Sequence, residues 1–397
     1  LTINGIVQGV GFRPFIYSLA RDIGLVGSVY NTSDGVKVEL QGSLSQLEQF
    51  DARLRSEAPP LSTIISVKLE EIPILEDSEF TIVTSHDNAS VSTLISPDVA
   101  LCDECKDELF DEHNRRYRYP FINCTNCGPR YTIIENIPYD RRFTSMKHFP
   151  LCEVCHTEYQ DPADRRFHAQ PNACPECGPQ VWLTDQKGER IDSRDSISKT
   201  IDLLVGGKIL AIKGLGGFHL AVDATNADAI ARLRLVKGRD EKPLALMVRG
   251  IDTAQELVDF NQEERATLLS IQAPIVLCTS KANAKIASNI APGNDRLGVM
   301  LPYTPLHHLL LSEKLDTLVM TSANFSEEPI CIDNDESLDR LSGLADYFLL
   351  HNRDIYLRSD DSVVMEMSGT IRPIRRSRGF APRPIFMQNR SEERFSR

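Results

Sequence analysis

The chain has 397 residues, of which 41% are hydrophobic and 25% are charged, a composition typical of a folded globular protein and not of a disordered one. This length exceeds one ordinary hydrophobic core and predicts roughly two to four domains. The formal net charge of −12 argues against nucleic acid as a partner, because phosphate-backbone binding normally needs a basic excess. Since no long apolar run and no leader pattern occur, we expect a cytoplasmic protein without membrane contact.

Residues 1–90 show the pattern of a small α+β domain. An apolar strand at residues 1–8 precedes a helix, and Val36, Val38 and Leu40 alternate with polar residues as in a half-buried strand. Ser43 and Gln46 form a capping box before a second helix, and a further alternating strand follows. The order β-α-β-β-α-β predicts a ferredoxin-like domain.

The turn between the first strand and the first helix has the composition of an anion-binding loop. Gly9 and Gly11 let backbone amides converge, and the helix N-terminus adds positive potential. Arg13 can bind phosphate oxygens through two parallel hydrogen bonds. The predicted phosphate-binding loop comprises Gln8, Gly9, Val10, Gly11 and Phe12.

Residues 7–13, with the sequence VQGVGFR, and residues 27–32, with the sequence GSVYNT, resemble the acylphosphatase family. The resemblance covers residues 1–90. It implies that Arg13 is the catalytic arginine and that Asn31 positions the attacking water. The implied reaction is in-line attack of water on the phosphorus of an acyl phosphate, with the developing charge stabilised by the loop and by Arg13.

Residues 98–185 contain a unit that repeats after fifty residues and carries eight of the ten cysteines as C-x-x-C pairs. Glu108 and Arg115-Arg116 have counterparts at Glu158 and Arg165-Arg166, so the unit is duplicated. In each copy the spacing lets four thiolates meet at one tetrahedral ion, which predicts two structural zinc ions with no open coordination position. The predicted ligands are Cys102, Cys105, Cys124, Cys127, Cys152, Cys155, Cys174 and Cys177.

Two alternatives concern these cysteines. Disulfides are disfavoured by a reducing cytoplasm, and a redox function would need a lone C-x-x-C beside a βαβ pattern. The spacing leaves open whether the pairs combine sequentially or in an interleaved manner. With eight thiols available, we expect His148, His156 and His168 to be surface residues and not ligands. Cys278 and Cys331 are interpreted as ordinary buried thiols.

Residues 190–385 alternate between short apolar runs and helical stretches, which predicts an α/β domain with ligands bound where strands end. The chain is therefore expected to combine α+β and α/β domains. The predicted strands are residues 208–212, 243–248, 274–278, 297–301 and 318–320.

Three polar clusters occur at residues 213–219, 237–243 and 321–324. The K-x-R-x-x-K-P and S-x-N elements among them resemble the YrdC family, the threonylcarbamoyl-adenylate synthases. The resemblance implies that Lys237, Arg239, Ser322 and Asn324 hold ATP phosphates and a carboxylated substrate. Residues 213–219 depart from that family, which has a threonine-rich segment there. The predicted nucleotide or carbamate contacts are Lys213, His219, Lys237, Arg239, Lys242, Ser322, Asn324 and Arg378.

The three modules in this order resemble the HypF carbamoyltransferase family of nickel–iron hydrogenase maturation. The resemblance implies that carbamoyl phosphate is hydrolysed and that the carbamate is joined to AMP from ATP, with Mg²⁺ accompanying the nucleotide. It also implies that the carbamoyl group is destined for the C-terminal cysteine of a partner protein, HypE. Because the family's last transfer domain does not follow here, we expect carbamoyl-adenylate formation without the final transfer.

Two other functions fit parts of the sequence. The first is a zinc-containing RNA-binding protein with a YrdC-like fold, which the acidic balance disfavours and which salt-sensitive RNA binding would support. The second is an acylphosphatase of broad substrate range, which would show no preference for carbamoyl phosphate.

Overall fold

Three modules follow one another along the chain. The computed structural model describes residues 1–74, 77–83, 94–312, 314–324 and 328–385; the last part of the predicted first domain, residues 84–90, lies outside these ranges. The predicted combination of α+β and α/β modules is confirmed. Within the described ranges, none of the helices has both the length and the apolar character that crossing a membrane requires.

The N-terminal module is a five-stranded sheet in the order β4-β1-β3-β2-β5, with two helices packed together. Its apolar core includes Ile3, Ile16 and Val38, and the predicted capping box of Ser43 and Gln46 is confirmed at the start of α2. The short strand β5, which pairs in parallel with β2, was not predicted. The elements are β1 (Thr2–Ile6), α1 (Phe12–Ile23), β2 (Val26–Thr32), β3 (Gly35–Gln41), α2 (Leu44–Ser56), β4 (Thr63–Lys68) and β5 (Phe80–Ile82).

The finger module has little regular structure and reproduces the sequence repeat in its backbone. Helix α3 (Asp103–Phe110) starts directly after Cys102, and helix α4 (Glu153–Gln160) starts directly after Cys152. Arg118 and His168, fifty residues apart, both adopt a left-handed conformation, with φ of 54° and 53°. The repeat is therefore structural as well as sequential.

The third module is built on an eleven-stranded mixed sheet. The path runs β16-β15-β11-β12-β9-β13-β8-β7-β14-β6, with β10 paired to β11. Parallel pairing occurs between β7 and β14, β9 and β12, and β11 and β15. All five predicted strands are present. The strands are β6 (Val181–Asp185), β7 (Leu210–Lys213), β8 (Phe218–Asp223), β9 (Leu246–Val248), β10 (Val258–Asp259), β11 (Ile275–Ser280), β12 (Arg296–Met300), β13 (Thr317–Ser322), β14 (Tyr347–His351), β15 (Val363–Met367) and β16 (Thr370–Arg375).

Helices cover this sheet and complete the core. Residues of β6, which the sequence pattern placed in the 98–185 module, pair with β14 and thus belong to the large sheet. The main core of the third module is formed by residues such as Phe218, Leu246 and Val319. The helices are α5 (Ser196–Val205), α6 (Ala227–Lys237), α7 (Ile251–Leu257), α8 (Gln262–Leu268), α9 (Pro305–Leu310) and α10 (Asn334–Leu341).

The finger module contacts both of its neighbours. Its Leu101 amide donates to the Tyr303 carbonyl of the third module at 3.1 Å, and the two modules share one apolar cluster. On the other side its Tyr139 amide donates to Gln8 Oε1 of the N-terminal module at 2.8 Å. The finger module therefore lies between the N-terminal and the third module and contacts both.

Candidate active sites and metal centres

The turn between β1 and α1 has the backbone shape of an anion-binding loop. Gly9 and Gly11 both have a φ of 72°, in the left-handed region that residues with a Cβ rarely adopt. A Cβ at Gly9 would lie 3.2 Å from side-chain atoms of Arg130 and Tyr139, so the turn is also closely packed. Helix α1 begins at Phe12, and its N-terminal amides and dipole favour a bound anion.

Arg13 lies in the first turn of α1, where the helix dipole disfavours a positive charge. Its Nη2 atom forms an ion pair with Asp140 at 3.0 Å. When the Asn31 amide is oriented to satisfy its neighbours, Asn31 Oδ1 accepts from Arg13 Nη2 at 3.2 Å and Nε at 3.3 Å. Arg13 and Asn31 line a cavity of about 20 Å³ together with Gly9 and Gly11. The structure therefore brings the predicted catalytic pair to the predicted loop.

Other loop residues hold the turn in place. Gln8 Nε2 donates to the Thr32 carbonyl at 2.7 Å, and Gln8 Oε1 accepts from the Tyr139 amide. The side chains of Val10 and Phe12 belong to the apolar core. Only the backbone of these two residues is thus available to an anion.

The paired cysteines form two separate clusters in sequential order, which resolves the pairing that the sequence left open. In each cluster the four sulfur atoms lie within 4.8 Å of one another. Cys102 Sγ is 3.7 Å from Cys124 Sγ, and Cys152 Sγ is 3.8 Å from Cys174 Sγ. Tetrahedral zinc with Zn–S bonds of about 2.3 Å requires sulfur separations of about 3.8 Å, whereas a disulfide is much shorter. Both clusters are compatible with structural zinc: Cys102, Cys105, Cys124 and Cys127 form the first, and Cys152, Cys155, Cys174 and Cys177 the second.

Each half of the repeat supplies arginines to the cluster of the other half. Arg165 Nη1 lies 3.1 Å from Cys105 Sγ, and Arg115 Nη1 lies 3.5 Å from Cys155 Sγ. Four thiolates around one divalent cation leave a net negative charge, which these guanidinium groups offset. The two clusters are therefore electrostatically interdependent.

A second arginine in each half forms a buried ion pair across the repeat. Arg116 is 1% exposed, and its Nη1 donates to Glu158 Oε1 at 2.9 Å. Arg166 pairs with Glu108 in the same way. In the sequence these residues served only as markers of the duplication. These residues repeat after fifty residues, as the cysteine pairs do, and this shared separation was the sequence signal that they accompany the cysteine clusters.

His168 is only partly exposed, whereas the sequence-based expectation was a surface residue that is not a metal ligand. It lines the phosphate cavity beside Thr125, and burial together with the charge of Arg13 lowers its pKa to about 3. His148 and His156 are exposed as predicted. The cysteine clusters include none of these three histidines. His168 is thus a finger-module residue at the acylphosphatase-like site.

Arg130 is a further residue of this interface, and sequence reasoning did not find it. It is 2% exposed. Its Nη1 donates to the Cys127 carbonyl at 2.8 Å, its Nη2 to the Thr125 carbonyl at 2.9 Å, and its Nε to the Gly9 carbonyl. One guanidinium therefore connects the knuckle of the first cysteine cluster to the phosphate loop.

Two predicted polar clusters of the third module meet where α6 and β13 end. Lys237 Nζ donates to the carbonyl oxygens of Ser322 at 2.6 Å and Asn324 at 3.0 Å. Arg239 Nη1 donates to Thr321 Oγ1 at 3.1 Å, and Ser322 Oγ donates to Asn324 Oδ1 at 2.9 Å. The structure therefore brings together the four residues that the YrdC resemblance selected.

The glycine-rich segment at residues 213–219 is a hairpin turn between β7 and β8 and does not lead into a helix. Lys213 is 2% exposed, and its Nζ donates to the His351 carbonyl at 3.2 Å. His219 is the cross-strand partner of Ser322. Of these two predicted contacts, His219 is therefore next to the Lys237 cluster and Lys213 is buried in the sheet.

Lys242 and Arg378 occupy opposite environments. Lys242 is exposed. Arg378 is 2% exposed; its Nε donates to Asp361 Oδ1 at 2.8 Å, and its guanidinium lies 3.4 Å from the centre of the Tyr303 ring. Asp361 Oδ2 is 2.9 Å from His219 Nε2. Arg378, which was expected from the sequence to contact an anion, is thus engaged in a buried network with Asp361 and His219.

This network supports a prediction for stability. Burial alone would raise the pKa of Asp361, but Arg378 and His219 hold that pKa well below its ordinary value. We expect Asp361→Asn to lower the free energy of unfolding of this module by about 3–5 kcal/mol, because Arg378 becomes an uncompensated buried cation. Since the folded-state pKa is depressed, the contribution is complete at neutral pH and declines progressively as the pH falls from about 4 toward the folded-state pKa. Urea unfolding at pH 7 measures the effect of the substitution, and the same measurement at several pH values below 4 measures the decline.

The neighbouring Asp360 provides the control. Its carboxylate is 40% exposed and lies 3.4 Å from Arg375 Nη1. Asp360→Asn should change the free energy of unfolding by less than about 1 kcal/mol, as expected for an exposed pair. Equal shifts for the two variants would contradict the assignment of the buried network.

Three family models match consecutive parts of the chain. The acylphosphatase model matches residues 1–82, and the HypF finger model matches residues 101–134 and 151–184. The Sua5/YciO/YrdC model, described as telomere recombination, matches residues 202–377. The order of the matches is the order of the three modules.

Known proteins match nearly the whole chain. Carbamoyltransferase HypF2 of Cupriavidus necator is 50% identical over 97% of this chain and 50% of its own length, and HypF of Synechocystis sp. is 48% identical over 99% and 51%. A crystal structure of full-length HypF in the phosphate- and nucleotide-bound form has a TM-score of 0.93 and 49% identity, covering 98% of this chain and 51% of that one. The chain spans about half the length of the curated relatives it matches.

Fold and sites together define a three-module protein with an acylphosphatase-like domain, a finger module with two four-cysteine clusters, and a Sua5/YrdC-like domain. Relatives about half identical in sequence contain the same modules in one polypeptide. The chain belongs to the HypF carbamoyltransferase family, over these three modules.

Proposed function

We propose that this chain hydrolyses carbamoyl phosphate and uses the carbamate to form carbamoyl-adenylate from ATP, in the maturation of nickel–iron hydrogenases. The observation that carries the proposal is the pairing of Arg13 and Asn31 on an anion loop in the same chain as the Lys237 and Arg239 cluster. The HypF relatives support it, and one of them has been solved with phosphate and nucleotide bound.

The first step takes place at the phosphate loop. A water positioned by Asn31 attacks the phosphorus of carbamoyl phosphate in line, the bond between phosphorus and the acyl oxygen breaks, and phosphate and carbamate are released. Negative charge on the phosphoryl oxygens is stabilised by the loop amides and by Arg13. Asp140, paired with Arg13 at 3.0 Å, fixes the orientation of the guanidinium.

The second step takes place at the cluster in the third module. A carbamate oxygen attacks the α-phosphorus of ATP, which binds with Mg²⁺, and pyrophosphate leaves. Lys237 and Arg239 offset the charge that develops on the leaving pyrophosphate, and Ser322 and Asn324 offer a hydroxyl and an amide to the ligands. Because carbamate decomposes in water, the two sites need an enclosed connection. The carbamoyl group is then delivered to the C-terminal cysteine of HypE.

Zinc in the two cysteine clusters has a structural role in this scheme. Four thiolates fill the coordination sphere, so no position is open for a substrate. Bound metal would stabilise a module that has little regular secondary structure. The eight thiols are kept reduced in the cytoplasm, where we place the protein.

The test is carbamoyl-phosphate-dependent release of pyrophosphate from ATP, with detection of the adenylate by mass spectrometry. We expect Lys237→Met to remove pyrophosphate release and to leave phosphate release unchanged, because the two sites lie in different modules. Arg13→Ala should strongly reduce both phosphate and pyrophosphate release, and added carbamate should restore pyrophosphate release to it. Hydrolysis of several acyl phosphates without any pyrophosphate release would instead support an acylphosphatase of broad range.

ATP binding should also take up protons. Burial, with the charges of Arg239 and Lys242, lowers the pKa of Lys237 to about 7, so at pH 8 much of this amine is neutral. A polyphosphate beside it favours the charged form and raises the pKa. Calorimetric titration with ATP at pH 8, in two buffers of different ionisation enthalpy, should show a fractional proton uptake that Lys237→Met removes. Equal uptake by both proteins would contradict this role of Lys237.

A further inference from the structure

The phosphate cavity is a shared structure of two modules. The loop and the Arg13–Asn31 pair form one side, and residues of the finger module form the other. The cavity measures about 20 Å³, which is on the order of one or two water molecules. The finger-module residues in its wall are Thr125, Arg130, Tyr139, His168, Ala169, Gln170 and Pro171. A phosphate seated in the loop would therefore have finger-module residues on its other side.

His168 is a wall residue whose ring is held by its backbone and by aromatic packing and not by hydrogen bonds of the ring itself. Its backbone amide donates to the Tyr159 carbonyl at 3.0 Å. Its ring lies 4.9 Å from that of Tyr159 and 4.7 Å from that of Phe167, centre to centre. Its Nδ1 atom is buried and has no hydrogen-bond partner among the described residues. A buried polar atom without a partner carries a free-energy cost that a bound ligand can remove.

The protonation state of this ring follows from its surroundings. Burial comes first, and the Arg13 cation adds to it; together they lower the pKa of His168 to about 3. Asp140 is the opposing charge nearby. At neutral pH the imidazole is therefore uncharged and presents one hydrogen-bond acceptor.

The internal repeat shows that the fold does not require histidine at this position. Arg118, fifty residues earlier, has the same left-handed backbone and donates its amide to the Leu109 carbonyl at 2.8 Å. The Arg118 side chain points to a different partner, Asp195, at 2.7 Å. The left-handed backbone is thus compatible with either side chain. We therefore attribute the histidine to its place in the wall of the phosphate cavity.

Small acyl phosphates differ at one group that an acceptor can distinguish. Carbamoyl phosphate carries an N–H donor where acetyl phosphate carries a methyl group. A site with a buried acceptor discriminates strongly against an analogue that lacks the donor, because the acceptor then stays unpaired. A bulky aromatic acyl group would in addition overlap the wall.

We infer that His168 is a specificity-determining residue, which accepts a hydrogen bond from the carbamoyl N–H group and closes the cavity to larger acyl groups. The inference rests on the proposed function and adds to it a residue of the finger module. It explains why an acylphosphatase-like domain is joined to a finger module in one chain: the finger module supplies the acyl side of the site.

The test compares kcat/KM for carbamoyl, acetyl and benzoyl phosphate in the full chain. His168→Gly keeps the left-handed backbone and removes both acceptor and bulk, and His168→Phe removes the acceptor and keeps the bulk. In both variants the preference for carbamoyl over acetyl phosphate should fall by about 10-fold or more. Benzoyl phosphate hydrolysis should rise only in His168→Gly. His168→Asn, which tolerates the same φ and retains an acceptor, should recover part of the preference.

Arg118→Asn is the matched control, because it changes the equivalent position of the other repeat copy and should leave the preference unchanged. If the His168 variants hydrolyse carbamoyl phosphate with the wild-type preference over acetyl phosphate, the inference is overturned and the proposed function stands. Equal loss with all three substrates also overturns it, since that is the result of a purely structural role. If the wild-type chain hydrolyses benzoyl phosphate and not carbamoyl phosphate, the proposed function itself fails.

Discussion

Replacement of Arg13 by alanine is expected to lower kcat for carbamoyl phosphate hydrolysis by roughly 100- to 1000-fold, the range found when one preorganised donor to a developing oxyanion is removed. The Nε and Nη2 atoms of Arg13 are held by Asn31 and Asp140 at the edge of the cavity, so the side chain needs little reorganisation to meet the phosphoryl oxygens. The loop amides remain in the variant, and for this reason some activity should persist. Phosphate release under saturating substrate measures the effect.

Two further variants separate charge from geometry. Arg13→Lys keeps the cation but lacks the planar fork of two donors, so we expect it to recover only part of the activity. Arg21→Ala removes an exposed arginine from the same helix, where it donates to Tyr17 Oη at 2.7 Å, and should leave kcat unchanged. If kcat of Arg13→Ala falls by less than about 10-fold, Arg13 does not act as a donor to the developing oxyanion. Unfolding midpoints of all three variants show whether the loss comes from catalysis or from folding.

Much of the N-terminal module could be predicted from local sequence. Strand alternation, the capping box at Ser43 and the two loop glycines are short-range signals, because each one depends on residues within a few positions of one another. The spacing of the cysteines within each repeat is a further signal that can be read directly from the sequence. The structure confirms all of these. In the same way, Lys237 and Ser322 were recognised from short motifs, and the fold brings them together.

The shared wall of the phosphate cavity could not be predicted in this way. Arg130 donates hydrogen bonds to backbone carbonyl groups of two modules. Because every residue has a backbone carbonyl, the sequence does not indicate which residues accept these bonds. His168 is a single histidine near many cysteines, and it lines the phosphate cavity only because the finger module packs on the N-terminal module. Interfaces between modules join segments more than one hundred residues apart, and no local periodicity encodes them.

The environment of Arg378 also could not be predicted from the sequence. A late cluster of arginines suggests an anion site by charge alone, but Arg378 forms an ion pair with Asp361, 17 residues earlier, in a buried environment. Whether an arginine faces a ligand or a buried carboxylate depends on side-chain packing, which the order of residues does not specify. The strand order of the eleven-stranded sheet likewise could not be predicted, because β6 pairs with β14, which lies far away in the sequence.

Loss of metal from the first cysteine cluster is expected to abolish acyl phosphate hydrolysis, although none of the described residues that line the phosphate cavity is a cysteine. Structural zinc contributes about 10–16 kcal/mol to the folding of small modules, and much of the buried apolar surface of the finger module belongs to a cluster shared with the third module. When the knuckle at Cys124 and Cys127 loses its shape, Arg130 loses the carbonyl groups that position it. The same guanidinium then no longer holds the Gly9 carbonyl, and the phosphate loop is free to change conformation.

The prediction is tested by measuring zinc content and hydrolysis in three cysteine variants. Cys105→Ser should lose zinc from the first cluster together with nearly all hydrolysis. Cys155→Ser acts on the second cluster, which is not connected to Gly9 through Arg130, and should retain more of the phosphate-site activity while weakening the first cluster through the reciprocal arginines. Cys278→Ala changes a buried thiol outside both clusters and should keep both zinc ions and wild-type hydrolysis. A Cys105→Ser protein that has lost its zinc but hydrolyses carbamoyl phosphate normally would show that Arg130 does not couple the metal cluster to the phosphate loop.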